Sequence, residues 1–161
     1  MKIARRIIFW TFLIATPIIV YGLFLWGYAS GELDSLESFG RTLENFDEVS
    51  TVLEISRFNG QESHIVARVV LVNGREFYYF VSENAEHEYV VQEYLDAAYV
   101  IGPRGAEQIA ARTATGEILG TQLGRHAGEP IYEVQIRDAN QYVHYVVIHA
   151  LTGELILHFS N

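Results

Sequence analysis

The sequence contains no cysteine among its 161 residues. This absence excludes disulfide bonds, thiol nucleophiles, zinc sites built from thiolates and the lipidation of a terminal cysteine. Proline is scarce as well, with three residues, whereas half of the residues are hydrophobic and 13% are aromatic. The chain therefore has enough apolar side chains for a packed core, and that core must be stable without covalent cross-links.

Lysine is missing after Lys2, and all twenty aspartates and glutamates lie after Gly31. Eight arginines accompany these twenty acids, which gives residues 32–161 a net charge of −12. So acidic a surface disfavours nucleic acid as a partner. It also disfavours direct adhesion to anionic lipid or to an anionic wall polymer.

The sequence also lacks the short motifs of common enzymes. It contains no His-Glu-x-x-His zinc motif, no Gly-x-Ser-x-Gly nucleophile motif, no Ser-x-x-Lys pair and no glycine-rich phosphate loop. His144 and His158 could face one another on neighbouring strands, but a pair of histidines on a strand surface is seldom a metal site. We therefore predict no enzyme activity, no cofactor and no metal site.

The longest run without a charged residue is near the N-terminus, over residues 7–31. About 20 apolar residues cross the hydrocarbon core of a bilayer, so residues 7–28 are predicted to form a transmembrane helix. Three basic residues precede it. The positive-inside rule then places residues 1–6 in the cytoplasm and the rest of the chain outside the cell membrane. A cleaved signal peptide is the alternative, because residues 29–31 form a small-residue cleavage site.

Residues 29–100 are predicted to be one folded unit that begins with a helix. Apolar residues recur at helical spacing between positions 33 and 49, as on a helix with one buried face. Four strands follow, with turns at Asn59-Gly60 and Asn73-Gly74. Asn-Gly favours a type I′ hairpin turn, in which both central residues need a positive φ. The predicted strands are residues 52–57, 64–72, 76–82 and 89–94.

Residues 101–161 are predicted to repeat this order. Pro103 suits the first turn of a helix that continues to about Thr115. A strand, a glycine-containing loop and three alternating strands come next, and Gly153 supplies the positive φ of the last turn. These segments are residues 118–123, 124–129, 131–137, 142–149 and 154–159.

The two halves align without gaps when Val52 is placed on Ile118, and apolar positions then stay in phase. Further aligned pairs include Ile65 with Ile131, Tyr79 with Tyr145 and Val81 with Val147. We therefore predict an α+β fold of two tandem units, each a helix packed on an antiparallel sheet. Two unrelated α+β halves with similar element lengths remain the alternative.

Three segments of the second half resemble a PepSY domain, namely Ile101-Gly102-Pro103, Ile131-Tyr132-Glu133-Val134 and Leu151-Thr152-Gly153-Glu154-Leu155-Ile156. The layout of a short cytoplasmic tail, one span and two such units resembles the small Gram-positive membrane proteins called cell wall elongation regulator TseB-like. The resemblance covers essentially the whole chain. It implies a cystatin-like α+β fold, an extracellular location and a regulatory role in cell wall elongation and peptidoglycan synthesis, through binding to a penicillin-binding-class transpeptidase.

Four aromatic residues in predicted hairpins are the candidates for binding a protein partner: Phe77, Tyr79, Tyr142 and Tyr145. Aromatic side chains on a partly exposed sheet face are good anchors for protein binding, although core packing is their more common role. Aromatic residues on both faces of the strand 76–82 also predict burial on both of its sides.

Two other functions stay open from the sequence. PepSY units also occur as peptidase-inhibitory modules, so inhibition of a secreted protease is one alternative. The other is an extracellular ligand or signal sensor, which predicts a sizeable apolar cavity between the two units.

Overall fold

The structure is a computed structural model, and it describes residues 21, 39, 40, 43, 46–60, 63–83 and 89–161. Residues Gly40–Asn161 belong to one compact unit. The described residues form two antiparallel four-stranded sheets and one helix, which confirms the predicted α+β class. The predicted span 7–28 lies outside the described residues apart from Tyr21. No helix in the described part has the length and hydropathy needed to cross a bilayer.

The first sheet contains four strands in the order β1-β2-β3-β4, each antiparallel to the next. Their bounds are β1 Val49–Asn59, β2 Ser63–Leu71, β3 Glu76–Glu83 and β4 Tyr89–Asp96. The four predicted strands are therefore confirmed, but the preceding helix ends earlier than predicted. Residues 46–48 form a turn and Val49 already pairs with Leu71, whereas Gly40 and Leu43 are helical.

The turn at Asn73-Gly74 differs from the predicted type I′ turn. Gly74 has a φ of 80°, but Asn73 does not have a positive φ. The Gly74 N–H donates to the Leu71 carbonyl at 2.8 Å, and the Leu71 N–H donates to the Arg75 carbonyl at 2.9 Å. This is the longer hairpin loop that ends in a single left-handed glycine. The Asn73 side chain accepts from the Arg75 N–H, which fixes the loop without a positive φ at Asn73.

A short 3₁₀ helix, Ala97–Tyr99, and helix α1, Gly102–Ala110, connect the two sheets. Pro103 lies in the first turn of α1, as predicted. The helix ends before the predicted Thr115, since residues 111–113 form turns. The second sheet has the strand order β5-β6-β7-β8. Its strands are β5 Glu117–His126, β6 Glu129–Arg137, β7 Val143–His149 and β8 Leu155–Ser160.

The predicted loop over residues 124–129 is a tight hairpin instead. Strand β5 continues to His126, which pairs directly with Glu129. The two residues between them, Ala127 and Gly128, have φ values of 51° and 86°. Both central residues are thus left-handed, which is the requirement of a type I′ turn. The last predicted turn is confirmed, because Gly153 has a φ of 74°.

The two sheets also share an irregularity in their first strand pair. The β1–β2 register shifts between Val52 and Glu54, and the β5–β6 register shifts between Ile118 and Gly120. These positions are equivalent in the gapless alignment of the two halves, which places Val52 on Ile118. A bulge bends its strand and increases the local twist, so both sheets change direction at the same point.

The core lies between α1, one face of the second sheet and part of the first sheet. Ala106 and Ala110 of α1 are fully buried against Val134 and Ile148. Val66 and Phe80 of the first sheet belong to the same cluster. On the opposite face of the second sheet, Phe58 packs on Ile131 and Val147. The two sheets are therefore joined by packing on two sides.

Candidate functional site

The second sheet leaves much of one face uncovered, the face opposite α1. Cross-strand pairing places Tyr145 beside Phe159 and Val147 beside Leu157 on this face. The rings of Tyr145 and Phe159 stack, with their centroids 4.9 Å apart and an angle of 5° between their planes. We call Tyr145, Leu157 and Phe159 the outer surface. Leu157 and Phe159 are 40% and 44% exposed, so part of this apolar area faces solvent.

Strand β8 continues the apolar surface to the edge of the sheet. It pairs only with β7, so one side of its backbone has no strand beside it among the described residues. All six of its residues are exposed, and none of them is aspartate, glutamate, lysine or arginine. An exposed apolar edge strand is a template on which another strand can pair. This edge and the outer surface together make the best protein-binding candidate in the described part of the chain.

The predicted binding residue Tyr79 lies in the core. It is 6% exposed, and its hydroxyl donates to Glu48 Oε1 at 3.0 Å. Burial, with the Glu48 hydrogen bond as the next cause, raises the pKa of Tyr79 to about 12. This side chain is therefore a structural anchor between β3 and the turn before β1.

Phe77 is half-buried on the same strand. Its ring meets the edge of Tyr94 with centroids 6.0 Å apart, and the Arg75 guanidinium lies 5.1 Å above it. Both contacts are internal to the first sheet and its turn, and they hold Phe77 in place. Phe77 and Tyr79 thus lie on β3, away from the outer surface of the second sheet.

The other two predicted residues lie at the second sheet. Tyr145 belongs to the outer surface, and Tyr142 is exposed just before β7. Leu157 and Phe159 are not among the residues predicted from the sequence, although Leu155, Ile156 and Leu157 form an unbroken apolar run. A strand with one solvated face ordinarily alternates polar with apolar residues. The missing alternation in β8 is therefore the sequence signal that could have indicated this surface. The binding role of all four predicted residues stays a prediction.

A cavity of about 230 Å³ lies between the two sheets. Its lining includes Glu54, Arg68, Tyr78, Thr121 and Tyr132. It is smaller than the roughly 300 Å³ or more of ordinary ligand sites. It is also more polar than the apolar cavity that the sensor hypothesis predicts.

The Tyr132 hydroxyl in this cavity makes no hydrogen bond of standard geometry with the described residues, although the Tyr78 hydroxyl is close to it. Burial raises the pKa of Tyr132, and the adjoining Tyr78 adds to the rise. Arg68 is not free to serve this hydroxyl as its main partner, because it donates from Nε and Nη2 to Glu76 at 3.0 and 2.5 Å. The cavity is therefore a small polar gap in the packing.

Comparison with known proteins finds a similar fold but does not assign the chain to a family. No family model matches the chain, and no curated protein matches it. Among solved structures, the YpmB protein from Bacillus subtilis is similar with a TM-score of 0.62 and 16% identity, over 80% of this chain and 96% of that one. A candidate lipoprotein from Clostridium difficile 630 aligns over 81% of this chain and 92% of its own, with 14% identity and a TM-score of 0.42. What this chain shares with YpmB at such low identity is the fold.

Proposed function

We propose that this chain is a non-enzymatic, membrane-anchored extracellular regulator of cell wall elongation that binds a penicillin-binding-class transpeptidase. The observation that carries the proposal is the exposed apolar edge strand β8, with the outer surface beside it. The resemblance to the TseB-like regulators supports the choice of partner. The fold shared with YpmB is consistent with it.

The chemistry of β8 suits the pairing of strands. A partner strand beside β8 would receive main-chain hydrogen bonds along its length, and Leu155, Leu157 and Phe159 would supply apolar contacts. Tyr145 and Phe159 are already stacked, so their rings lose little conformational entropy on binding. Aromatic residues held in this way are common centres of binding energy in protein interfaces.

We also infer that each sheet is the sheet of one PepSY-like unit. The two sheets have the same strand order, and their first strand pairs bulge at equivalent positions. Helix α1 supplies the helix of the second unit, and Gly40 and Leu43 belong to the helix before the first sheet. On this interpretation β8 is the free edge of the unit farther from the N-terminus.

The test is membrane crosslinking in the native host, with the full chain carrying a peptide tag that contains no histidine. The purified complexes are labelled with a fluorescent penicillin, which marks transpeptidases of this class. We expect a labelled partner with the wild type. We expect it to be lost when Leu157→Glu and Phe159→Glu are combined, because two carboxylates would have to be buried in the interface.

The matched control combines Val72→Glu with Tyr99→Glu. Both side chains are exposed and lie outside β8, so this variant adds the same charge elsewhere. The control should retain the labelled partner. Absence of any labelled protein with the wild type, under conditions that preserve weak complexes, would refute the proposed function. Equal retention by the two double variants would keep the function but exclude β8 as the binding surface.

A further inference from the structure

Two histidines meet on the face of the β7–β8 pair that the outer surface does not occupy. His144 pairs with Ser160 and Val146 pairs with His158, so His144 and His158 are diagonal neighbours across the two strands. Nδ1 of His144 lies 3.1 Å from Nε2 of His158, and the ring centroids are 5.3 Å apart. Diagonal neighbours are within reach of one another when their side chains are long or aromatic.

Asp138 fixes the orientation of the first of these rings. Its Oδ1 accepts from the N–H groups of Asn140 and Tyr142 at 2.8 and 2.9 Å, which holds the carboxylate in the β6–β7 turn. Its Oδ2 lies 3.4 Å from Nε2 of His144. A neutral His144 that donates from Nε2 to Asp138 has an unprotonated Nδ1, and this Nδ1 points at His158.

The separation of the two facing nitrogens suits a shared metal ion. Two nitrogens bound at about 2.0–2.1 Å are roughly 3.0 Å apart at a right angle and about 3.4 Å apart at a tetrahedral angle. The observed 3.1 Å lies within this range. It is also the length of a hydrogen bond between the two rings, so a bound metal ion would take the place of the proton that one of the two facing nitrogens carries. Metal-binding histidines commonly donate their second ring N–H to a carboxylate, which is the position of Asp138.

We propose that His144 and His158 form a cross-strand binding site for a divalent transition metal ion of the Zn²⁺, Ni²⁺ and Cu²⁺ class, with Asp138 as the positioning residue. The sequence alone predicted no metal site, since it shows neither the ring-to-ring distance nor the position of Asp138. This inference rests on β7, β8 and the turn between β6 and β7. It does not depend on the proposed partner.

The site supplies two protein ligands. In the described part of the chain, no group of three or more His, Asp or Glu side chains is placed to hold a metal ion. The remaining coordination positions are therefore filled by water, which exposed His158 allows. His158 presents Nε2 as a ligand when its ring proton resides on Nδ1, and a neutral imidazole exchanges these tautomers. Imidazole favours Zn²⁺, Ni²⁺ and Cu²⁺, whereas Mg²⁺ prefers oxygen ligands.

A metal ion at this site would link the exposed edge strand β8 to β7. Because the two histidines are held 3.1 Å apart only in the folded chain, the ion binds the native state and stabilises it by mass action. The expected effect is a rise in the midpoint of thermal unfolding as the metal concentration increases. It should also slow hydrogen exchange of the β8 amides, since opening of β8 would break the link.

The experiment uses the full chain in mild detergent, free of any histidine tag and stripped of metal with a chelator. NiCl₂, ZnCl₂ or MgCl₂ is titrated in, and bound metal and the unfolding midpoint are both measured. We expect saturable binding of one Ni²⁺ or Zn²⁺ per chain with a raised midpoint. We expect no change with MgCl₂ at the same ionic strength.

Three variants and one control locate the site. His144→Gln and His158→Gln should each abolish the metal-dependent shift, and Asp138→Asn should weaken metal affinity by about 10–100-fold. His126→Gln removes a histidine at the end of β5 and should bind as the wild type does. Circular dichroism without metal checks that every variant is folded. Failure of the folded wild type to bind Ni²⁺ or Zn²⁺, or equal binding by His158→Gln and His126→Gln, would overturn the proposal.

Discussion

The two sheets have the same strand order but differ in what covers their faces. In β2 the successive residues His64, Ile65, Val66 and Ala67 are all buried, so both faces of the first sheet are covered at this strand. In β6 buried residues largely alternate with half-buried ones, and β8 is exposed along its whole length. The first sheet is thus buried on both faces along β2, whereas the face of the second sheet opposite α1 is covered only in part, at Ile131 and Val147, and is open along β8.

This difference explains why aromatic residues on equivalent strands have different environments. Tyr79 and Tyr145 occupy aligned positions in the two halves of the sequence. Tyr79 is buried and hydrogen-bonded to Glu48, whereas Tyr145 stacks on Phe159 at a partly open surface. Burial by the rest of the chain therefore leaves only the second of these aligned residues available to a partner.

The largest expected effect is the loss of stability when a buried phenylalanine, rather than one on the open surface, is replaced by alanine. Phe58→Ala should lower the free energy of unfolding by about 3–5 kcal/mol, because it empties a buried site between β1 and the second sheet. Phe159→Ala should cost about 1 kcal/mol, mainly from the lost stack with Tyr145. Urea unfolding of both variants measures the difference. Similar losses would show that β8 is as deeply packed as β1.

A second comparison tests the contact between the sheets within one strand, β5. A Cβ at Gly124 would lie 2.3 Å from the Phe58 ring, whereas a Cβ at Gly120 would meet nothing within 4 Å. Gly124→Ala should therefore cost about 1–3 kcal/mol through overpacking. Gly120→Ala should be neutral or stabilising by up to about 1 kcal/mol. Equal effects in chemical denaturation would contradict the close packing of Phe58 on β5.

A third comparison concerns one turn in each sheet. Gly74 and Gly153 both have left-handed φ values, of 80° and 74°, so valine at either position should cost about 1–2 kcal/mol. A Cβ at Gly153 would also lie 3.1 Å from Ile109 Cδ1. We therefore expect Gly153→Val to lower the thermal unfolding midpoint more than Gly74→Val. Unchanged unfolding of Gly153→Val would refute the turn assignment.

The smallest expected effect compares two buried hydroxyl groups. Tyr79→Phe removes the hydrogen bond to Glu48 and should cost about 1 kcal/mol. Tyr132→Phe removes a hydroxyl that makes no hydrogen bond of standard geometry with the described residues, so it should be neutral or slightly stabilising. The two variants are compared by urea unfolding at pH 7. A loss with Tyr132→Phe as large as that with Tyr79→Phe would mean that the Tyr132 hydroxyl is hydrogen-bonded in solution.

The raised pKa of Tyr79 gives a prediction for alkaline pH. The pKa of Tyr79 is raised from 10.0 to about 12, so the unfolded chain loses this proton at a lower pH than the folded chain. The stability that Tyr79 contributes is complete below about pH 10 and is lost as the pH rises through about 12. Tyr79→Phe should therefore flatten the decline of stability in this range. An unaltered decline would exclude Tyr79 as its source.

The positions of the strands and the final meander could be predicted because alternation and turn residues are local signals. The β6–β7–β8 meander follows from alternating runs separated by turn residues, including Gly153. The sequence predicts a type I′ turn at Asn73-Gly74, but the structure has it at Ala127-Gly128. Alanine seldom has a positive φ, so the residue type at position 127 does not predict this turn. The pairing of β5 with β6 imposes the conformation instead.

The surface and the histidine pair depend on distances that a sequence does not contain. Phe159 becomes part of an outer surface because register places it against Tyr145 on the preceding strand. His144 and His158 lie on neighbouring strands in any meander of this length. Only the register and the Asp138 turn bring their ring nitrogens to 3.1 Å.

The sequence by itself determined the α+β class, the positions of the strands and the final meander, because these follow from hydrophobic periodicity and turn residues within short segments. The tertiary structure alone decided which aromatic residues are buried. Tyr79 and Tyr145 occur in similar local sequences, but the first is enclosed by packing from other elements and the second is not. Burial is a property of what covers a strand, and distant parts of the chain supply that cover.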